Sequence, residues 1–525
     1  MPAPNAVQQV QEVPVKIVGG SNFGRYPKIS VEQTWNMIVS DGALVPYAGY
    51  KNALVLSPTD DGRGIYASFT GEIMIAVVGR VVYRIKINPV TGELESEGEV
   101  GVLETNGGDV YIAENNNQQI CITDGVYAYI YNYGTNQFYS SSPTLPPGAL
   151  ALAFTFPNPG YVSFQNGRFL VASQETQYWI LSGVNDGLDW PQYSTATTPP
   201  TVTKPSQIGT IQTKPTTAVA AIPVPGGGNN LIVLGTNCGE SWQDVGNVTF
   251  PYQRGVTFNI DYGCLNASSI SKLDNFIVWL AYNEASGPMI MTATGSQIQR
   301  ISTDGIDYVL SNLTNPTNCT GFLFRQDGHI IYQFTFPDDN ISYIYDFNTG
   351  LFFNVSNEKL DYHIARQVVF FNNTYYFVPL DSGNIYEFST KFTDAIYSIN
   401  NELVQKELPR LRITPPTRLP TQRYFIGKSI GFTIENGQPN IKTLKPTVGS
   451  ATPTVNWSEA VDLSISIDGG ETFGNSWRLN MNPTGKRTSR FIWQRLGIVN
   501  DVSFQFRFSG FGRFIAFDGI LEIYQ

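Results

Sequence analysis

Residues Ile330 to Val355 read IIYQFTFPDDNISYIYDFNTGLFFNV. Apolar and polar residues alternate through IIYQFTF, a turn follows at PDDN, ISYIYDF alternates again, and NTG turns the chain into LFFNV. Period-two alternation rich in Ile, Tyr and Phe marks half-buried strands, and Asp, Asn and Gly supply the positive-φ positions that tight turns need. The segment therefore predicts three antiparallel strands in succession.

Phrases of the same kind recur along the chain. Anchored at the first strong strand residue of each copy (Ile73, Ile120, Phe169, Leu231, Phe276, Ile330 and Tyr375), the gaps are 47, 49, 62, 45, 54 and 45 residues. A period in the forties with about four short strands per copy is the signature of β-propeller blades. A blade buries its faces only against neighbours, so seven copies predict a closed ring of about seven blades, six being the alternative count. Unrelated hairpins in a sandwich or β-helix are the competing reading.

The chain of 525 residues is rich in aromatics (13%) and poor in charge (14%), with 49 Gly and 32 Pro. That balance fits an all-β, turn-rich protein and excludes long helices and disorder. No apolar run approaches a membrane span, and no charged leader with an apolar core opens the chain, so a soluble product without membrane insertion is expected. The net charge of −10 is uneven. Residues 401–525 hold 15 Lys+Arg against 10 Asp+Glu, a balance of +5, which leaves −15 on residues 1–400. An acidic ring binds DNA poorly, yet a repulsive wall suits a channel through which DNA slides.

The repeat divides the chain into an N-terminal arm with first strands (1–62), a β-propeller (63–395) and a C-terminal β-sandwich (396–525) built from six further strand patterns. The Pro/Thr-rich stretch from Asp189 is expected as a long loop between the third and fourth blades. Pro409, Pro415, Pro416 and Pro420 stiffen the crossing out of the ring.

Chemistry-bearing patterns are sparse. The two histidines, His329 and His363, exclude a multi-His metal site. The four cysteines (Cys121, Cys238, Cys264, Cys319) stand singly and read as buried free thiols. Gly62-x-Gly64-x-x-Ala67 touches a dinucleotide fingerprint, but a β-alternating run follows where a helix is required. No catalytic, cofactor-binding or metal residue is expected. Ser466-Ile-Asp468-Gly-Gly470-Glu-Thr472-Phe473 resembles the Asp-box, in which Ser and Asp side chains satisfy the turn amides of a hairpin and an aromatic packs beneath. Lys486, Arg487, Arg490, Arg495, Arg507 and Arg513, interleaved with Phe491, Trp493, Phe504 and Phe506, form a candidate partner-binding basic face. Cations with aromatics also suit single-stranded nucleic acid, but strand alternation separates the two sets.

Several phrases in this order resemble the packaged-DNA stabilisation proteins of short-tailed phages, also described as tail hub or nozzle proteins. They are RYPKISVEQTWNMIVSDG with PYAGY, the GRGIY opening of the ring, the crossing LPRLRITPP, and SIDGGETFGNSWRLNMNPTGKRTSRFIWQRLGIVNDVSFQFRFSG near the end. The resemblance implies a non-enzymatic virion part made in the host cytoplasm. Six copies would sit beneath the portal-adaptor ring, continue the DNA channel without sequence-specific binding, retain packaged DNA and anchor tail fibres, spikes or a plug. The alternative is a carbohydrate-binding or glycan-cleaving propeller of the sialidase kind, motivated by the Asp-box.

Overall fold

The computed structural model describes residues 10–24, 31–226, 228–295, 297–399, 402–421, 423–435, 460–481, 488–510 and 512–524. Seven sheets follow one another around a ring, and the segment quoted first supplies three strands of the sixth: His329–Phe336, Ile341–Asp346 and Leu351–Asn354 pair antiparallel after Thr320–Gln326. Every anchor residue lies in, or one residue before, the second strand of its blade, from Met74–Val78 in the first to Thr374–Pro379 in the seventh. Successive blades touch mainly through their inner strands, the fourth and fifth meeting through Asn230–Gly235 and Gly263–Cys264, and the circle closes where Gly62–Ala67 packs against both Tyr111–Glu114 and Ala365–Phe371.

At that seam the backbones come so close that a Cβ on Gly62 would sit 2.7 Å from the Pro379 carbonyl oxygen. This is the role of the glycine-rich GRGIY phrase, and no helix follows it. Between its two glycines, the buried Arg63 donates to the carbonyls of Gly79, Thr105, Gly107 and Gly108 and to Thr105 Oγ1, at 2.7–2.9 Å. A guanidinium has five N–H donors in a fixed fork, and here each finds an acceptor, which offsets the burial of its charge.

The residues expected as an N-terminal arm are divided between the two units. Gly49–Ser57 completes the seventh blade, pairing antiparallel with Gly383–Ser389 and parallel with Ala395–Ile399. Val10–Val15 pairs with Gly519–Tyr524 at the far end of the chain. Val31–Trp35 lies between the sixth blade, through Trp35 and Asn354, and Arg410–Ile413 of the crossing. The sixth blade and one sandwich layer are thereby strands of a single eleven-stranded sheet.

The Pro/Thr-rich stretch is corrected in place: it lies inside the third blade, between Tyr178–Leu181 and the fourth strand Ile208–Thr210, and contains a two-stranded ribbon, Tyr193–Ser194 with Thr201–Val202. The excursion explains the 62-residue gap. The helix Asp304–Ser311, capped by Thr303 Oγ1 accepting from the Ile306 amide, fills the connection between the fifth and sixth blades.

The sandwich core comes from alternate residues of facing strands: Phe432, Phe491 and Trp493 from one layer meet Phe504, Phe506 and Phe508 from the other. Phe432 and Phe506 cross edge to face at 4.9 Å. Burial of each large apolar side chain contributes about 1.5–3 kcal/mol, and such ring pairs about 0.5–1.5 kcal/mol more.

Candidate functional site

Two arginines of LPRLRITPP weld the ring to the sandwich. Arg412 is fully buried and donates from Nε to the Ile17 carbonyl (2.6 Å), from Nη1 to the Gly20 carbonyl and Thr34 Oγ1 (both 3.0 Å), and from Nη2 to Glu32 Oε1 (2.7 Å). Arg410, two residues earlier and on the same face of its strand, donates to Asp394 Oδ1 (2.9 Å) and to the carbonyls of Thr393 (2.7 Å) and Gly510 (2.9 Å). One segment thus ties the N-terminal strands, the end of the ring and the turn after Asp501–Ser509 of the sandwich together. Composition points away from these roles, since arginine is ordinarily exposed. The signal available in the sequence was the alternation R-L-R-I between prolines.

The Asp-box residues form a tight loop between Ala460–Ser466 and Trp477–Asn480. Ser466 Oγ accepts from the Gly470 amide (2.8 Å) and donates to Asp468 Oδ1 (2.6 Å). The Asp468 carboxylate accepts from the amides of Glu471 and Thr472 (both 3.0 Å) and from Thr472 Oγ1 (2.6 Å). These bonds, the Ser466 and Thr472 hydroxyls first, hold the Asp468 carboxyl well below the usual carboxylate range. Gly469 and Gly470 take φ of +79° and +94°. Phe473 is only half-buried.

The proposed basic residues do not share one face. Arg490 and Arg495 are exposed on Thr488–Val499 of one layer, whereas Arg507 is exposed on Asp501–Ser509 of the other. Because the inner faces of both strands pack Phe, Trp and Leu into the common core, their outward arginines point to opposite sides of the sandwich. Arg513 belongs to neither surface; its Nη2 donates to Asp327 Oδ2 of the sixth blade at 3.1 Å. Lys486 and Arg487 lie outside the described residues.

His329 is buried between Asp346 Oδ2 (2.9 Å) and Ser40 Oγ (3.1 Å). His363 is enclosed by Tyr47, Tyr50, Phe377 and Phe388, and burial lowers its pKa to about 3. The four cysteines are free and buried, and burial pushes Cys264 up to about 12, far from a reactive thiolate. No group of three or more His, Cys, Asp or Glu able to hold a metal occurs among the described residues, and no helix of the described residues is long and apolar enough to cross a membrane. A cleft of about 180 Å³ opens between the sixth and seventh blades, lined by Arg325, Asp327, Phe370, Tyr375, Thr390 and Lys391 among others. Asp327 is its only carboxylate, so the two opposed carboxylates of glycoside hydrolysis do not converge there.

Comparison with known proteins follows the same division of the chain. Residues 29–393 match the family described as Bacteriophage P22 Gp10, beta-propeller, and residues 443–518 match the one described as Bacteriophage P22 Gp10, beta-sandwich. No curated protein matches. Solved structures with partial likeness include the N-terminal domain of Nup159, at 9% identity and a TM-score of 0.38 over 68% of this chain and 98% of that one. U3-55K aligns at 7% identity and a TM-score of 0.38, over 65% of this chain and 98% of its own. The computationally designed Ika8 protein aligns at 9% identity and 0.36, over 72% and 100%. The family model for the propeller spans well over half of the sequence, and the second covers the sandwich: the chain belongs to the P22 Gp10 family of packaged-DNA stabilisation proteins, structural components of the phage tail.

Proposed function

We propose that six copies of this chain form a hub beneath the portal-adaptor ring, continuing the DNA channel, retaining packaged DNA and carrying tail fibres, spikes or a plug. The protein has no catalytic role, binds no cofactor, is made in the host cytoplasm and ends in the virion. The observation that carries this reading is the weld between ring and sandwich. A part that must hold pressurised DNA and transmit load between neighbours needs its two units to move as one. The eleven-stranded sheet shared by the two units and the buried Arg410 and Arg412 support that requirement. Cyclic assembly then needs only two complementary faces on this rigid body. The acidic balance of residues 1–400 suits a wall along which DNA slides.

The test is electron microscopy of virions labelled with gold-tagged antibody to residues 401–525, followed by symmetry analysis of the labelled vertex. Label at one vertex with sixfold averages supports the hub. Particles without label, or turnover of capsular or sialylated glycans by the purified protein, would overturn it.

A further inference from the structure

The cleft of about 180 Å³ between the sixth and seventh blades has an aromatic wall and a polar rim. Phe370 and Tyr375 are cross-strand partners in the hairpin of Ala365–Phe371 and Thr374–Pro379, with ring centroids 4.9 Å apart. Behind Tyr375 lies the buried Phe324, edge to face at 5.9 Å, and Phe324 packs in turn on Phe388 at 4.8 Å. This backing fixes the wall, yet Phe370 itself is 54% exposed. Most of the charge at the rim is already engaged. Arg325 donates from Nε to Asp274 Oδ2, and Arg513 from Nη2 to Asp327 Oδ2, both at 3.1 Å, so these charges cancel in pairs. Lys391 is exposed and joins no ion pair among the described residues, which leaves the cleft one positive charge. Tyr375 Oη accepts from the Arg325 amide at 3.2 Å and keeps its own hydrogen to donate. Asn373, at φ +61° in the turn of the hairpin, adds an exposed amide.

We infer that the cleft binds one acidic sugar residue, a pyranose carrying a carboxylate. The space equals about six waters at about 30 Å³ each, room for one six-membered ring with its substituents and well short of the roughly 300–1,000 Å³ that larger ligands occupy. A pyranose presents C–H groups on its faces, which suit the electron-rich face of Phe370, and hydroxyls on its edge, which need both donors and acceptors. A lone anion would leave the aromatic wall unused. Lys391 selects the acid over the neutral sugar, because a charge-assisted bond is stronger than a neutral one. The site binds without cleaving: Asp327 is its only carboxylate and is held by Arg513 and Thr390. One copy of the chain suffices, so the site is independent of the proposed hub.

The test is saturation-transfer difference NMR on the full-length chain with methyl β-D-glucuronide, N-acetylneuraminic acid, methyl β-D-glucoside and acetate, beside Phe370→Ala and Lys391→Gln. Both side chains are exposed, so each variant should keep the wild-type melting midpoint, which is checked in parallel. At least one of the two acids should bind the wild type with a Kd of about 1 mM, Phe370→Ala should weaken it at least about tenfold, and Lys391→Gln should reduce it to the level of the neutral glucoside. Should Phe370→Ala unfold, the Lys391→Gln comparison decides alone. Acetate displacing the acid at equal concentration would show an anion site only and overturn the sugar site. So would a wild type that binds neither acid at about 20 mM, or folded variants that bind like the wild type.

Discussion

The guanidinium of Arg410 donates from Nη2 to Asp394 Oδ1 at 2.9 Å, with both side chains 2% exposed, at the point where the ring becomes the sandwich. Asp394 directly precedes Ala395–Ile399, and its carbonyl accepts from the Tyr50 amide of the strand that completes the seventh blade. Removing one partner strands the other charge in the interior, so Arg410→Met should cost about 3–5 kcal/mol in urea unfolding. Arg410→Met/Asp394→Leu removes both charges and should recover most of that loss. A double variant no more stable than the single one would show that the carbonyl bonds to Thr393 and Gly510, rather than the ion pair, hold the junction.

A second prediction concerns pH. His363 is fully buried; its Nδ1 accepts from the Ala365 amide at 3.3 Å, and its Nε2 has no hydrogen-bond partner among the described residues. Burial among aromatic rings lowers its pKa from 6.5 to about 3. Between those values the unfolded chain binds a proton that the folded one refuses. The contribution is therefore fully present above pH 6.5 and is lost as pH falls toward 3, at about 1.4 kcal/mol per pH unit. The difference in stability between the wild type and His363→Phe, measured in denaturant from pH 7 to pH 4, should shrink or invert along that slope. A pH-independent difference would refute the assignment.

The ring was legible because its information is local. Alternation marks each strand, Asp, Asn and Gly mark each turn, and the second strand of every blade carries the strongest apolar run, as Ile120, Phe169 and Ile330 do. The weld was not legible, because its partners are far apart in the chain. Val10 pairs with Tyr524, and nothing near either residue announces the other. Buried arginines also reverse the ordinary expectation, so Arg63, Arg410 and Arg412 are recognised only once their carbonyl acceptors are in place. The proposed basic face failed on geometry: alternation separated Arg490 from Phe491 correctly, but gave no sign that Arg507 belongs to the opposite layer.

The helix Asp304–Ser311 holds the N-terminal stretch against the ring by bare backbone contact. A Cβ on Gly305 would lie 1.2 Å from the Phe23 carbonyl oxygen, a distance no side-chain adjustment can relieve. Phe23 itself packs edge to face on Tyr343 of the sixth blade at 4.9 Å. Gly305→Ala should therefore displace Asn22–Phe23 and expose that stretch to protease. On general helix propensity alone the substitution would stabilise by up to about 1 kcal/mol. Limited proteolysis with mass analysis separates the two: early cleavage before Val31 is expected, and resistance equal to the wild type would contradict the contact.

The Asp-box loop offers the most local prediction. Asp468 is held below the usual carboxylate range by its hydroxyl and amide donors, so what it contributes is present above pH 3.8 and is lost as pH falls below that value. Among the described residues its bonds go to Ser466, Glu471 and Thr472, away from the Phe432–Phe506 core. Asp468→Ala should accordingly speed amide hydrogen exchange at Glu471 and Thr472 while leaving the global unfolding midpoint nearly unchanged. Ser466→Ala should release the Gly470 amide instead. If Asp468→Ala lowered the global midpoint as far as Arg410→Met does, the loop would be a pillar of the sandwich rather than a local tie, and turn and core would not be separable.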